Sequence, residues 1–312
     1  MLRMTTLRCL FSLLVLTICT SLVLPAAQAQ ILSFQNFKSV TVDGSTHTEV
    51  NGIGGPTDGI IVGFYVDSNG VEHGFETVAG KITPIDVPGS TGTRAYGVDL
   101  NDFYVVGTYT DSKLVVHGFE LGPSGKFATI DVPHTVWTRA FSVNSAGTIA
   151  GAYADQAGIV HGFLDNNGKG KFTKLDFPKA VVTEITGIVN LRYMSGTFVD
   201  SSGAEHGVVG GAGELRAAIN VPGAGLTAAN GVNDAVEIAG YYGASSAGPF
   251  HGYFFGADQF LTIDFPDATD TRCNGISDSL DIVGRYTDSN GVVHGFTAQG
   301  VYTSGQQPLS QP

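Results

Sequence analysis

The sequence predicts an all-β protein built from six similar units, and three observations lead to this prediction. A His-Gly-aromatic tripeptide, degenerate in one copy, recurs every 43 to 45 residues. The chain has 43 glycines in 312 residues, about twice the average usage of about 7%, which indicates many tight turns. None of the short segments within the repeats shows the apolar i, i+3, i+4 spacing of a helix over ten residues. Six repeats of four short strands are the pattern of a six-bladed β-propeller with four antiparallel strands per blade.

The period is marked by a histidine that occurs once in each repeat. It precedes glycine and an aromatic residue in five copies, and glycine and valine in the fourth copy. Six copies at one period, spread over nearly the whole chain, leave little room for coincidence. The six histidines are His73, His117, His161, His206, His251 and His294.

Four segments follow one another in each repeat, and each is predicted to be a strand. The first begins with a threonine, as in Thr227-Ala228-Ala229, and the second carries Gly-x-aromatic, as in Gly107-Thr108-Tyr109. The third carries the histidine, and the fourth ends in a motif such as Ile130-Asp131-Val132-Pro133. Turns such as Asp67-Ser68-Asn69-Gly70 separate the second and third segments, because Asn and Gly adopt the conformations that hairpins need. We expect the small-residue first strand innermost and the Pro-ended fourth strand outermost, where proline removes no ladder bond.

The last repeat is predicted to borrow its fourth strand from the N-terminus. A single blade cannot bury both faces, and closing a ring of blades removes the exposed ends. Residues 271–277, 282–286 and 293–297 supply three strands of the last blade, and residues 37–43 are expected to supply the fourth. Residues 300–302 resemble the start of another outer strand and could compete for the same edge.

The N-terminal segment has the features of a secretory signal peptide. Arg3 and Arg8 precede an apolar stretch over residues 9–24, and Ala27-Gln28-Ala29 is a small-x-small cleavage pattern. We therefore expect a secreted protein, extracellular or periplasmic. The predicted organisation is a signal peptide over residues 1–29, a propeller domain over residues 30–303 and a flexible tail over residues 304–312.

Charge and cysteine content exclude some classes of partner. Removal of the signal peptide takes away Arg3 and Arg8, which leaves 14 basic against 28 acidic residues and a formal net charge of −14. This balance argues against nucleic acid and against an anionic membrane surface, both of which attract basic patches. Cys273 is the one cysteine left after cleavage, so no intrachain disulfide is expected.

The tripeptide also carries a family resemblance. It reads His-Gly-Phe in four of its six copies, as at His73-Gly74-Phe75 and His294-Gly295-Phe296. This resembles the secreted bacterial repeat proteins of the HAF-repeat family, named for His-Ala-Phe, with glycine in place of alanine in every copy here. The resemblance covers roughly residues 37–299. It implies a secreted location and a propeller-like fold, and it implies no catalytic residues.

Residues present in every repeat are expected to serve folding. The six repeat histidines are predicted to orient hairpins by hydrogen bonding. The Asp-Ser-Asn-Gly turns are predicted to be ordinary hairpin turns, since calcium takes six to eight oxygen ligands and these four-residue turns lack a distal glutamate. No metal site and no cofactor are expected.

Candidate binding residues lie instead where the repeats differ. The loop between the proline of one repeat and the threonine of the next is the most variable segment, and all such loops are expected on one face. Function commonly sits on variable loops over a rigid scaffold. An exposed tryptophan near polar groups suits a sugar ring. The candidates for ligand binding are His134, Trp137, Arg139, Arg94, Asp267 and Asp270.

These observations favour a secreted binding or interaction scaffold whose ligand is an extracellular carbohydrate or protein. The first alternative is a polysaccharide-active hydrolase or lyase that uses carboxylates on the variable-loop face, with Asp267 and Asp270 paired, or either paired with Glu184 across the channel. The second alternative is a structural surface or matrix protein. No nucleophile elbow, phosphate loop or zinc motif is visible.

Overall fold

The computed structural model describes residues 30–54, 59–78, 80–99, 104–189, 193–211 and 213–304. The predicted signal peptide and residues 305–312 of the predicted tail lie outside the described residues. The chain divides into a large part, Leu32–Val301, and a small part at the two chain ends. In the small part, the Thr303 hydroxyl donates a hydrogen bond to the Ile31 carbonyl, at 3.3 Å. The following paragraphs concern the large part.

The structure is all-β, and its strands form six repeats of four. The strands of repeat 1 are β2 (His47–Gly54), β3 (Ile60–Val66), β4 (Glu72–Val78) and β5 (Lys81–Ile85). Those of repeat 2 are β6 (Gly92–Val98), β7 (Val105–Thr110), β8 (Val116–Leu121) and β9 (Phe127–Ile130). Those of repeat 3 are β10 (Trp137–Val143), β11 (Ile149–Ala154), β12 (Val160–Asp165) and β13 (Phe172–Leu175), with a 3₁₀ turn at Asn166–Gly168.

Repeats 4 to 6 follow the same order. Repeat 4 contains β14 (Val182–Ile188), β15 (Tyr193–Val199), β16 (Glu205–Gly211) and β17 (Glu214–Ile219). Repeat 5 contains β18 (Leu226–Val232), β19 (Ile238–Gly243), β20 (Phe250–Gly256) and β21 (Gln259–Ile263). Repeat 6 contains β22 (Asp270–Ile276), β23 (Asp281–Thr287) and β24 (Val293–Ser304), and its fourth strand is β1 (Gln30–Val40).

Strands within a repeat pair antiparallel in chain order. The pairing of β1 with β24 confirms that an N-terminal strand completes the last repeat, although it begins and ends earlier than residues 37–43. Residues 300–302 continue β24 and do not form a competing outer strand. This corrects the predicted end of the third strand at residue 297. Among the described residues, no helix has the length and apolar character needed to cross a membrane.

The first strands of successive repeats pack in a cycle, because those of repeats 1 and 6 also contact each other. The cycle is reinforced by side-chain amides that bond across repeat boundaries. Asn51 Nδ2 donates to the Ala95 carbonyl at 2.9 Å, and Asn274 Nδ2 donates to the Val50 carbonyl at 3.0 Å. The prediction that the threonine segment is innermost is confirmed by the cavity that these strands share.

A β-bulge interrupts every first strand at the same place, and its extra residue faces the centre. A central cavity of about 90 Å³ is lined by these bulged residues and by the chain that follows them. The bulged residues are Asn51, Tyr96, Phe141, Thr186, Asn230 and Asn274.

The apolar core lies between neighbouring repeats, and the repeat glycine of each second strand permits the close packing. A Cβ on Gly107 would lie 2.1 Å from the carbonyl oxygen of Arg94 and 2.6 Å from Phe119. Phe119 is fully buried among Ile60 and Val62 of the preceding repeat. The glycine therefore lets two strands and an aromatic ring share one space, which explains why it recurs.

Candidate functional site

The variable loops and the Asp-Ser-Asn-Gly turns lie at the same end of the strands. The loop between β5 and β6 is held by Thr93, which is fully buried and accepts a hydrogen bond from the Val87 N–H at 3.1 Å. The same bond occurs in all six repeats, so the repeat threonine fastens the loop before it to the innermost strand. A rigid base under each variable loop follows from this contact.

In five of the six repeats the repeat histidine connects an aspartate of the turn to a polar residue at the end of the outer strand. In repeat 5, His251 contacts Asp264 at the end of the outer strand. His117 Nδ1 lies 3.0 Å from the Asp131 carboxylate, its Nε2 lies 3.6 Å from Asp111, and its ring stacks on Tyr109 at a centroid distance of 5.0 Å. Asp111 also accepts the backbone N–H groups of its own turn, and the Val115 N–H makes the largest contribution to lowering its pKa. Within the described chain, no three His, Cys, Asp or Glu side chains are arranged to hold a metal.

The residue after the repeat threonine forms a ring of mixed charge on the innermost strands, with three arginines, two glutamates and one alanine. All of its members except Ala228 are half-buried. Because the position is the same in every repeat, the differences among its members mark where the face could recognise a ligand. The ring consists of Glu49, Arg94, Arg139, Glu184, Ala228 and Arg272.

Arg94 lies in the groove between repeats 1 and 2. Its Nε donates to Glu72 Oε2 at 2.7 Å, its Nη2 donates to Glu72 Oε1, and its guanidinium lies 4.4 Å from the centroid of the Phe64 ring. The hydrogen bonds to Glu72 raise the pKa of Arg94, so it is charged at every accessible pH. Burial raises the pKa of Tyr96, which hydrogen-bonds to Arg94.

A cavity of about 160 Å³ opens beside this pair. It presents guanidinium and hydroxyl donors, carboxylate and hydroxyl acceptors, and an aromatic ring. Two of the sequence candidates, Arg94 and Arg139, meet there. The cavity is lined by Glu72, Gly92, Arg94, Tyr96, Thr108, Thr110, Val116 and Arg139.

Trp137 is placed differently from the sequence expectation. It begins β10 and is half-buried, and the guanidinium of Arg139 lies 4.5 Å from the centroid of its ring. One face of the indole is therefore covered by Arg139, a cation–π contact, and Trp137 does not line the cavity. Trp137 therefore packs against the guanidinium of Arg139, and this face of the indole is not available to stack on a sugar ring.

Asp270 and Arg272 form a second arginine groove, between repeats 5 and 6. Arg272 Nε donates to Asp270 Oδ1 at 3.3 Å, and its guanidinium lies 4.0 Å from the Phe250 ring and 4.9 Å from the Tyr241 ring. Asp270 Oδ2 also accepts the Phe250 N–H at 3.1 Å. Both groups are committed to neighbours, so Asp270 is a positioning residue for Arg272.

His134 and Asp267 lie away from these grooves. Both are exposed and occupy the same loop position, with φ of 64° and 61°, where three other repeats have glycine. The Gln156 amide donates to the His134 carbonyl at 3.2 Å. The sequence singled out His134 and Asp267 because this turn position varies between repeats. In the structure they do not line the cavity that contains Arg94 and Arg139.

Acidic groups on this face pair in a way the sequence did not suggest. Burial raises the pKa of Glu184 and also that of Glu205, and the charge of Glu205 adds to the effect on Glu184. The Tyr241 hydroxyl donates to Glu205 at 3.4 Å. Glu184 therefore interacts with Glu205 of its own repeat, whereas Asp270 is engaged by Arg272.

The other six lining residues were missed in the sequence: Glu72, Gly92, Tyr96, Thr108, Thr110 and Val116. Glu72 precedes the repeat histidine, where three other repeats have valine, and this departure is a usable signal. Tyr96 is the bulged residue of β6, and its orientation depends on this bulge, which no sequence pattern predicted.

Comparisons with known proteins give a fold and no family. No family model matches the chain, and no curated protein matches it. Among solved structures, the fungal Aleuria aurantia lectin, described as a six-bladed β-propeller with fucose recognition, superposes with a TM-score of 0.52 at 13% identity over 85% of this chain and 98% of its own.

Two further structures agree. AofleA from Arthrobotrys oligospora gives a TM-score of 0.53 at 14% identity, covering 87% of this chain and 91% of that one. The SapL1 lectin, in complex with α-methyl fucoside, gives 0.55 at 9% identity, covering 85% and 98%. The described chain thus has a fold similar to these three structures, one of which is described as a six-bladed β-propeller, and at this identity the likeness extends to the fold alone.

Proposed function

We propose that this chain is a secreted, closed six-bladed β-propeller, related to the HAF-repeat proteins, that binds carbohydrate on its variable-loop face. The cyclic packing of the first strands supports the closed ring. The signal-peptide pattern before Gln30 supports secretion. The likeness to lectins that recognise fucose supports a sugar as the ligand class.

The cavity between Arg94 and Arg139 is the observation that carries the proposal. A sugar ring presents hydroxyl groups that both donate and accept hydrogen bonds, and an apolar face. The cavity offers charged donors, the Glu72 carboxylate, the hydroxyls of Thr108 and Thr110, and the Tyr96 ring. Its volume of about 160 Å³ is below the about 300 Å³ at which pockets for drug-sized ligands begin, so it suits one sugar ring.

The rigidity of the cavity walls also favours binding. Arg94 is fixed by two hydrogen bonds to one carboxylate and by the Phe64 ring beneath it. Ligand binding therefore does not have to order the Arg94 side chain, because it is already held in one rotamer. This lower entropic cost improves affinity without new contacts. The Thr93 hydroxyl fastens the loop that precedes this strand in the same way.

The test is isothermal titration of the purified protein with a panel of methyl glycosides that includes α-methyl fucoside. We expect one sugar class to bind and Arg94→Ala to weaken it at least tenfold, because a hydrogen bond to a charged group contributes about 1.5–3 kcal/mol. Arg216→Ala is the matched control, since Arg216 is exposed on the outer strand β17. A panel without any binding sugar, or a bound sugar indifferent to Arg94→Ala, would overturn the proposal.

The pair of Glu184 and Glu205 favours a second candidate, a polysaccharide-active hydrolase or lyase. A buried carboxyl with a raised pKa can serve as a general acid, and two nearby carboxyls are the apparatus of glycoside cleavage. This candidate predicts soluble products from a polysaccharide and their loss in Glu184→Gln. Product release that survives both Glu184→Gln and Glu205→Gln would remove it.

A further inference from the structure

The cavity beside Arg94 has an unbalanced charge. Glu72 is its one carboxylate, and both oxygens of that carboxylate accept hydrogen bonds from Arg94. The pair is therefore closed on itself, in the fork geometry that arginine makes with a carboxylate. Arg139 lines the same cavity and adds a second positive charge with no second carboxylate on the lining.

Arg139 has a cation–π partner and lacks a close anionic one. Its guanidinium lies over the Trp137 ring, and across the described residues no carboxylate approaches it within 4.0 Å. Glu184 is an anionic neighbour of Arg139: burial raises the pKa of Glu184, and the charge of Arg139 lowers it. The effect of burial prevails there, so Glu184 is a poor counter-ion for Arg139.

This local charge stands out against the chain as a whole. The predicted mature protein carries a formal net charge of −14. The positive charge of Arg139 in the cavity is therefore a local feature and does not belong to a protein surface that is basic as a whole. At physiological ionic strength the screening length is about 8 Å, so the distant acids act on a bound ligand only weakly. An anionic group placed in the cavity would meet Arg139 and the hydroxyl donors of Thr108 and Thr110.

Resting on the carbohydrate-binding function proposed above, we infer that the sugar taken by this cavity carries one anionic group, and that Arg139 receives it. A hexuronate and a sulfated hexose supply the same chemistry, namely an oxyanion on a ring of about the cavity's size. Arg94, already engaged by Glu72, contacts the neutral hydroxyls of the same ring.

The experiment compares three ligands that differ in one substituent: methyl α-galactoside, methyl α-galacturonide and methyl α-galactoside 6-sulfate. Titration calorimetry of the full protein should give at least tenfold tighter binding for one of the two acidic sugars than for the neutral one. In Arg139→Gln that ratio should fall to within about twofold. Arg139→Lys should keep part of the preference, because it retains the charge and loses the planar fork.

Arg216→Gln is the control that should leave all three affinities unchanged, since Arg216 is exposed on β17. Which acidic sugar binds more tightly identifies the source of the anionic group, and either result supports the inference. Equal binding of neutral and acidic sugars would overturn the inference and leave the proposed function standing. An acid preference that persists in Arg139→Gln would overturn the assignment to Arg139. Failure of every sugar in a wider panel would overturn both.

Discussion

Arg94 and Arg272 occupy the same position in repeats 2 and 6, and their surroundings differ. Arg94 pairs with a glutamate and lies over one ring, with 38% of its side chain exposed beside a cavity. Arg272 lies against two rings, Tyr241 and Phe250, and is 24% exposed. The preceding repeat therefore decides whether the guanidinium can reach a ligand. In a repeat protein, one position can be a binding group in one groove and a packing group in the next.

The difference traces to one residue of the third strand. Glu72 begins β4 and Phe250 begins β20, at equivalent places before the repeat histidine. The Glu72 carboxylate hydrogen-bonds to the edge of the Arg94 guanidinium and leaves one face of that guanidinium open. The Phe250 ring instead covers a face of the Arg272 guanidinium. The two grooves thus share a scaffold and differ in what the neighbouring repeat supplies.

Substitution of the repeat glycine beneath each arginine should have the largest effect and should break both grooves. A Cβ at Gly107 would lie 2.1 Å from the Arg94 carbonyl, and one at Gly284 would lie 2.0 Å from the Arg272 carbonyl. Overpacking of this kind costs typically 1–3 kcal/mol, and contact with rigid backbone places both alanine variants near about 3 kcal/mol. Calorimetric melting should show a Tm lowered by roughly 6–12 °C.

Gly92→Ala is the matched control for these variants, because its Cβ would sit at an ordinary 3.5 Å from Glu72. A Gly107→Ala protein that melts with the wild type would show that the strands beneath Arg94 can separate at little cost.

Glu72→Phe should convert the open groove into the closed kind. A ring at this place would cover Arg94 as Phe250 covers Arg272, and it would remove the carboxylate acceptor. We expect binding of the cognate sugar to weaken at least a hundredfold, which corresponds to about 2.7 kcal/mol, with a Tm close to that of the wild type. Glu72→Gln keeps an acceptor for Arg94 and should retain measurable affinity. Wild-type affinity in Glu72→Phe would place the ligand elsewhere on the molecule.

Tyr253→Phe should sharpen the comparison by stabilising the repeat that supplies both rings to Arg272. Tyr253 is fully buried, where four other repeats have a buried phenylalanine, and its hydroxyl has no hydrogen-bond partner among the described residues. Burial raises its pKa accordingly. An unsatisfied buried group costs about 1–3 kcal/mol, so its removal should raise the Tm by a few degrees.

Tyr242→Phe in the same repeat serves as its control. The Tyr242 hydroxyl already bonds Thr262 at 2.9 Å on an exposed surface, so its loss should be neutral or slightly destabilising. Equal effects of the two substitutions would mean that the Tyr253 hydroxyl is satisfied in solution.

The sequence was sufficient for the architecture because every repeat needs the same contacts. The histidine period and the four segments follow from residues that recur, and the structure shows them. The N-terminal strand also completes the last repeat, although over residues 30–40 and not over the predicted residues 37–43. Arg94 and Arg139 were also identified as candidates from the sequence, because they vary at a repeat position on the variable face, and the structure places both beside one cavity. The role of Glu72 and the contact of Trp137 with Arg139 were not predicted. Both depend on which side chains meet in the folded chain, either across a repeat boundary or along one strand. Periodicity within a chain carries no information on those pairings.

The smallest expected effect concerns the turns beside the two grooves, which are acidic in repeat 1 and neutral in repeat 5. Asp67 accepts the N–H groups of Asn69 and Val71, and these bonds, with Val71 first, lower its pKa. A depressed folded-state pKa gives stability that is present above the unfolded value of about 3.9 and is lost as the pH falls through the folded value. His73 Nε2, 3.8 Å from Asp67 Oδ2, also contributes to the lowered pKa of Asp67.

Asp67→Ser, which gives repeat 1 the serine that repeat 5 has at position 245, should therefore lower the Tm slightly at pH 7. The difference from the wild type should shrink as the pH falls below about 3.9 toward the depressed folded-state pKa of Asp67, because protonation weakens the carboxylate as an acceptor of these bonds. Melting curves across this range measure the effect. A Tm difference that stays constant down to pH 2 would show that the turn is held by the shape of its backbone and not by the charge of Asp67.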